Sequence, residues 1–277
     1  MCSQRRSERE RRPLTVSPST SSGQTETHDS PIGPTLRLHR VRWPVLPRIV
    51  LSPEHIDCVL LDAGAQPGAV CGAIRQRVSP QEWQQAQRYR QPDDAARHLL
   101  GRALLRQVFG DHLGRSPWLT DFARNPWGKP LLPHDVPGVA VHFNLSHSGR
   151  WVVAAFSLMG TPGVDVERLA SVAGVAHASV STELAGQLHP AEAAEVLAAP
   201  PEARDRAFLR CWVRKEAVLK ALGEGLSRPL ASFRVRCSSA PDDWLLQAPA
   251  DAPLARWQCR DVAVDAGHAC SLAWLAP

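Results

Sequence analysis

A chain of 277 residues, 44% of them hydrophobic, can build a sizeable core as one large domain or two small ones. The formal net charge of +5 resides in residues 1–48, where nine arginines face four acids, so residues 49–277 are neutral and a basic surface that tracks nucleic acid is excluded. The seven cysteines are odd in number, scattered and without a C-x-x-C pair, which excludes a disulfide framework or a zinc site. With no apolar run of about 18 residues and no charged-then-apolar leader, the expectation is a cytoplasmic protein with neither a membrane nor a nucleic-acid partner.

Residues 1–36 are rich in Ser, Thr, Pro, Gln and Arg and hold scarcely any large apolar side chain before Leu36, so they are expected to be disordered. Residues 37–54 mix Pro44, Pro47 and Pro53 with apolar residues and read as an extended linker into a first strand near Cys58–Leu61. Ser79-Pro80 is a helix start, with Trp83, Ala86 and Tyr89 on the helix. A second helix follows, capped by Asp93 or Asp94. Its apolar stripe runs through Ala96, Leu99, Leu100, Ala103, Leu104 and Val108, and Arg97, Arg102 and Arg106 stand on the wet side or reach a phosphate.

Asn125 to Pro130 (N-P-W-G-K-P) predicts a tight turn carrying Lys129. The alternation of residues 139–145, the polar tip Ser146-His147-Ser148-Gly149-Arg150 and the apolar run 151–156 predict a hairpin. Adjacent residues in a turn seldom meet as nucleophile and base, so phosphate or hydroxyl recognition is the better reading of that tip. In Gly163-Val164-Asp165-Val166-Glu167 the period of two puts both valines on one face and both carboxylates on the other. Hard oxygen ligands of this kind suit Mg²⁺. After a polar connector, His189 to Leu197 reads as a short helix with Glu192 in its first turn, where the dipole favours a carboxylate. Four short alternating runs after Ser232 complete an α+β fold with an antiparallel sheet.

Between them lies the most unusual stretch, Trp212 to Gly223. Phe208, Cys211, Trp212, Val218, Leu219 and Leu222 recur at helical spacing, and Gly223 ends the helix. Of 32 basic residues only Lys129, Lys215 and Lys220 are lysines, and two of the three flank Glu216. A compact ammonium can give up a proton whereas a guanidinium does not, so a site that needs lysine cannot accept arginine.

Gly128-Lys129-Pro130, Phe143-Asn144-Leu145-Ser146-His147-Ser148, Gly163 to Glu167 and Trp212 to Lys220, in this order and spacing, make the chain resemble the Sfp-type 4′-phosphopantetheinyl transferases from about residue 50 to the end. The resemblance implies a cytoplasmic monomer. Its fold would be two similar α/β subdomains related by a pseudo-twofold axis, 49–161 and 162–277, behind a tail and linker over 1–48. Coenzyme A and Mg²⁺, with Mn²⁺ as an alternative, would lie in the cleft.

The implied reaction transfers 4′-phosphopantetheine to a serine of an apo acyl or peptidyl carrier protein of fatty acid, polyketide or nonribosomal peptide synthesis, releasing 3′,5′-ADP. By position, the resemblance implies Asp165, Glu167 and Glu216 as metal acids and Glu192 as a further acid near the metal. Arg97, Lys129, Pro130, Ser146 and His147, with Lys215 and Lys220, would contact coenzyme A, His147 at the 3′-phosphate. Glu216 would take the serine proton, kept ionised by Lys215 and Lys220, and Lys220 would neutralise the leaving phosphate. Where relatives place lysines toward the 3′-phosphate, this chain has Gln81, Glu82, Gln84 and Gln85, which passes that role to Arg88, Arg90 or Arg97. Two rivals remain. A metal-dependent nuclease would also use such acids and a lysine but lacks the basic track here, and a non-catalytic coenzyme A or carrier binder would tolerate loss of an acid, yet none is lost.

Overall fold

The computed structural model describes residues 24–28, 33–66, 68, 72–115, 118, 120–126, 128–132, 141–169 and 187–277. Of the expected disorder of residues 1–36, residues 1–23 and 29–32 lie outside them, as do the strand start at Val139 and the polar connector 170–186; residues 24–28 and 35–36 are instead strand, ordered by their pairing in the first sheet.

Two units of the same topology make up the fold. The first is built from β3 (His55–Asp62), the helix α2 (Pro92–His112), β6 (His142–Ser148) and β7 (Trp151–Ser157), with β7 antiparallel to both β3 and β6. The second is built from β8 (Thr161–Arg168), the long helix α4 (Arg204–Leu222), β11 (Trp257–Asp261) and β12 (His268–Leu275), with β12 antiparallel to both β8 and β11. Each is strand, helix, strand, strand, with the last strand in the middle. This is the α+β fold of two similar halves that the sequence predicts.

The remaining elements extend that plan. β1 (Gln24–His28) and β2 (Thr35–Arg42) widen the first sheet to five strands, and α1 (Pro80–Ala86) leads into α2. A ribbon of β4 (Ala123–Arg124) and β5 (Pro130–Leu131) carries the 125–130 turn, and α3 (Pro190–Ala198) precedes α4. A second ribbon pairs β9 (Arg234–Val235) with β10 (Leu245–Gln247), so the C-terminal strands form two small sheets rather than one. No helix among the described residues is long and apolar enough to cross a membrane.

Three buried clusters set the layers. α2 packs through Leu100, Leu104 and Phe109 on one face of the first sheet, and α4 packs through Phe208, Cys211 and Val218 on the second. Between the sheets, Ile56, Cys58, Leu60, Val153 and Ala155 meet Val164, Val166, Leu272 and Trp274. The valines of β8 therefore face the core, and its carboxylates face the other way.

Several boundaries differ from expectation for local reasons. Ser79 caps α1 in a reciprocal box with Glu82, but the helix ends at Ala86 and leaves Tyr89 outside. α2 starts at Pro92 after Gln91, so Asp93 and Asp94 occupy its first turn rather than its cap. Arg102 and Arg106 are buried rather than wet. Arg106 Nε donates to Glu82 Oε2 at 2.8 Å, and its Nη1 donates to the Trp118 carbonyl at 2.8 Å.

The largest correction concerns the linker. Residues 35–42 form a strand that runs parallel to β3 through eight residue pairs, burying Leu36, Leu38 and Val41. The prolines that suggested a linker all follow that strand. A chain beginning at residue 50 is therefore expected to lose about 4 kcal/mol or more relative to the full chain, from four buried aliphatic side chains, Leu36, Leu38, Val41 and Ile49, and an opened strand edge. Urea denaturation of the two chains checks this, and equal midpoints would return residues 35–42 to the status of a linker.

Candidate active site

β6 and β8 are the edges of their sheets and lie side by side. They are joined by side chains instead of a backbone ladder. The backbone N–H groups of Val164, Val166 and Arg168 donate in turn to Asn144 Oδ1 at 2.9 Å, Ser146 Oγ at 3.4 Å and Ser148 Oγ at 3.0 Å. Polar residues at every second position of β6 thus satisfy every second N–H of β8, matching the period of both strands. The two serines also donate to the carboxylates across the seam, Ser146 to Asp165 Oδ1 at 2.8 Å and Ser148 to Glu167 Oε2 at 2.7 Å.

Helix α4 closes on this seam because Gly163 lets it. A Cβ at Gly163 would overlap the Ala217 carbonyl oxygen and the Ala221 backbone nitrogen. That close approach brings Glu216 and Lys220 over β8, where Lys220 Nζ donates to Asp165 Oδ1 at 2.6 Å and to Ser146 Oγ at 3.0 Å. The 125–130 turn clasps the end of the same helix. Asn125 Nδ2 donates to the Gly223 carbonyl at 3.0 Å, Lys129 Nζ donates to the Lys220 carbonyl at 2.7 Å, and Asn125 Oδ1 accepts from Lys129 N at 2.8 Å. Carbonyls left open by the last turn of α4 are satisfied by the other half of the molecule.

The result is a cavity of about 610 Å³ over the seam, between α2 and α4. Of the residues singled out in the sequence, Lys129, Pro130, Ser146 and His147 line it, together with Asp165, Glu167, Glu216 and Lys220. Three do not. Lys215 is fully buried, donating to the carbonyls of Leu230 at 2.7 Å and Phe233 at 2.9 Å and pairing with Glu192 Oε1 at 2.8 Å. Glu192 is equally buried; its carboxylate also accepts from Val235 N at 2.7 Å and boxes the start of α3 with His189. Arg97 holds the β6–β7 turn by donating to the Gly149 carbonyl at 2.8 Å and pairs with Asp94. The flank of Glu216 by two lysines in sequence becomes one lysine in space, since successive helical residues point to different sides.

Electrostatics follow from the burial of the acids beside one another. Burial and then the charge of Asp165 push the Glu216 carboxyl up, against the pull of Lys220, a net shift opposite in direction to the one the flanking lysines suggested. Glu167 is pushed up by the same two causes in the same order. Burial, then the charge of Lys220, lowers Lys129 to about 8.

Among the described residues no three His, Cys, Asp or Glu side chains stand ready as a metal cage. The donor set nevertheless suits a small hard cation. Asp165 Oδ2 is buried without a hydrogen-bond partner, both glutamates sense its charge, and an ammonium, that of Lys220, already rests on Oδ1. His98, Arg102 and Trp212 line the cavity too. Arg102 was left between a solvated face and a phosphate contact in the sequence, and His98, four positions before it on α2, was not singled out.

Two family models match the chain, "4'-phosphopantetheinyl transferase, N-terminal" over residues 70–158 and "4'-phosphopantetheinyl transferase superfamily" over residues 161–273. The chain belongs to the 4′-phosphopantetheinyl transferase superfamily. It is 34% identical over 160 residues to 4′-phosphopantetheinyl transferase Sfp of Bacillus subtilis (strain 168), covering 57% of this chain and 66% of that protein. It is 29% identical over 202 residues to 4′-phosphopantetheinyl transferase HetI of Nostoc sp., covering 73% of this chain and 81% of that protein. A solved structure titled as apo-ACPS matches 42% of this chain and 94% of its own at 21% identity and TM-score 0.31, a likeness too slight to bear on the fold.

Two variants probe the packing of the site. Gly163→Ala is expected to lower stability by about 1–3 kcal/mol as α4 is pushed off β8, which a fall in melting temperature would register and an unchanged one would refute. Burial lowers His98 to about 4 from the ordinary 6.5. Between those values the unfolded chain binds the extra proton, so stability rises with pH across the window, by on the order of 3 kcal/mol at most. His98→Gln should flatten that slope in urea denaturation at pH 4.5 and pH 7.

Proposed function

We propose that the chain transfers the 4′-phosphopantetheine group of coenzyme A to a serine hydroxyl of an apo acyl or peptidyl carrier protein, with Mg²⁺, and releases 3′,5′-ADP. The reading rests on membership of the superfamily and on one observation, the convergence of Asp165, Glu167, Glu216 and Lys220 in a single cavity. In the reaction the serine Oγ–P bond forms at the β-phosphorus and the bond from that phosphorus to the bridging oxygen breaks, leaving the nucleotide with its 5′-phosphate. Bound Mg²⁺ or Mn²⁺, held by Asp165, Glu167 and Glu216, would neutralise the pyrophosphate.

The side chains supply the rest. Glu216, its carboxyl raised by burial and by Asp165, is a base of suitable strength to take the serine proton. Lys220 sits on the carboxylate at Asp165 in the free protein and would turn to the leaving phosphate once that carboxylate is engaged. Lys129, partly relieved of its proton by burial, lies one hydrogen bond from the Lys220 backbone and keeps the helix end in place. Lys215 is excluded from a direct part by its burial, and its contribution would be to anchor α4 through Glu192.

Incubation with coenzyme A, Mg²⁺ and an apo carrier protein, read by intact mass, tests the activity; no mass gain on any acyl or peptidyl carrier would refute it. Single-turnover transfer is expected to fall by about 100-fold in Lys220→Ala and nearly as far in Lys220→Arg. The planar guanidinium is larger, holds its proton more tightly and would draw Glu216 into a bidentate pair. A near wild-type rate for the arginine variant would show that charge alone is enough.

A further inference from the structure

His98 and Arg102 stand where the main cavity meets a smaller polar one of about 190 Å³, walled by Gln81, Gln85 and Arg124 among others. Both side chains are more than nine-tenths buried. Arg102 Nε and Nη1 and His98 Nε2 nevertheless have no hydrogen-bond partner among the described residues. Donors buried and left unmade are costly, and a folded protein keeps them where something else completes them. The nearest countercharge is inadequate. Glu82 Oε1 lies 3.9 Å from Arg102 Nε, and the other oxygen of that carboxylate is taken by Arg106 and by the Ser79 N–H.

The chemistry of the missing partner can be read from the donors. A guanidinium edge and an imidazole N–H pointing into one space match the oxygens of a phosphate monoester. The Tyr89 hydroxyl lies 3.4 Å from His98 Nδ1; in the tautomer whose Nδ1 accepts from it, the ring proton sits on Nε2, the nitrogen without a partner. Asp165, Glu167 and Glu216 line only the larger cavity, while the smaller one has Arg102 and Arg124 on its wall together with Glu82 and Asp121. Of the other candidates on the first unit, Arg97 is spent on Asp94 and Gly149, Arg88 and Arg90 are exposed and line neither cavity, and His147 lines the larger cavity alone.

We propose that Arg102 and His98 form the corner that holds the phosphate monoester on the ribose of coenzyme A, and so select the phosphorylated nucleotide over its dephosphorylated form. The proposal rests on the transferase reading above and adds to it the residues that replace the absent lysines of α1. Arg102 supplies the charge, borrowed from the second helix and oriented over the Phe122 ring at 5.3 Å. His98, neutral at pH 7, supplies a directed donor.

Calorimetric titration of the full chain with adenosine 3′,5′-bisphosphate and with adenosine 5′-phosphate, both with Mg²⁺, isolates that one phosphate. The wild-type protein should prefer the bisphosphate by at least about tenfold. In Arg102→Met and in His98→Ala the preference should shrink toward unity while the affinity for the monophosphate holds. A folded variant pair that keeps the full preference overturns the assignment and leaves the transferase reading standing. Equal loss for both nucleotides also overturns it, since the corner would then serve only packing. If Arg102→Met does not fold, His98→Ala decides alone. A wild-type protein that binds neither nucleotide would refute the transferase reading, and this proposal with it.

Discussion

The arrangement depends on a seam between two sheet edges that share no backbone ladder. Edge strands expose unpaired N–H groups, and two of them brought together would ordinarily fuse into one sheet. Here the side chains of Asn144, Ser146 and Ser148 take the acceptor role of the missing strand, reaching every second N–H of β8. The interposed side chains hold the strands apart by more than a ladder spacing while fixing their register. Because the same serines donate to Asp165 and Glu167, the groups that join the halves also aim the carboxylates.

Helix α4 then completes the site by close approach. Gly163 removes the one atom that would keep α4 off β8, and Gly223, in the left-handed conformation with φ of 80°, ends the helix directly beneath the 125–130 turn. Asn125 and Lys129 cap carbonyls of that helix from the opposite half. Helix α4 is thus held at its middle by the second sheet and at its end by the first unit.

Charge is distributed by depth. The Lys215–Glu192 pair is fully buried and surrounded by backbone acceptors and donors, so it specifies how α3, α4 and β9 meet without facing solvent. Asp165, Glu167 and Glu216 are buried less completely and lack equivalent compensation, and two of them are pushed toward protonation as a result. A cavity whose carboxylates repel one another, with an ammonium already drawn in, is arranged for a ligand that brings positive charge.

How much of this was legible in the sequence depends on the range of the interaction. The hairpin of β6 and β7, the alternation of β8 and the helix ending at Gly223 rest on periodicity and turn chemistry within one segment; the last two are where the residues predict them, while Ser146, His147 and Ser148, read as the hairpin's tip, continue β6 and leave the turn to Gly149 and Arg150. So is the sharing of one strand face by Asp165 and Glu167, which the period of two guarantees. Rank among the lysines was not legible. Lys215 and Lys220 flank Glu216 along the chain, one and four positions away, but the helical rotation of about 100° per residue turns one into the core and the other onto Asp165. The strand over residues 35–42 was also hidden, because its partner β3 begins 20 positions after it and no local signal marks a parallel pairing. The sequence by itself determined which residue types the site possesses. Only the tertiary structure, through the seam of side chains and the bare backbone at Gly163, decided which of them meet.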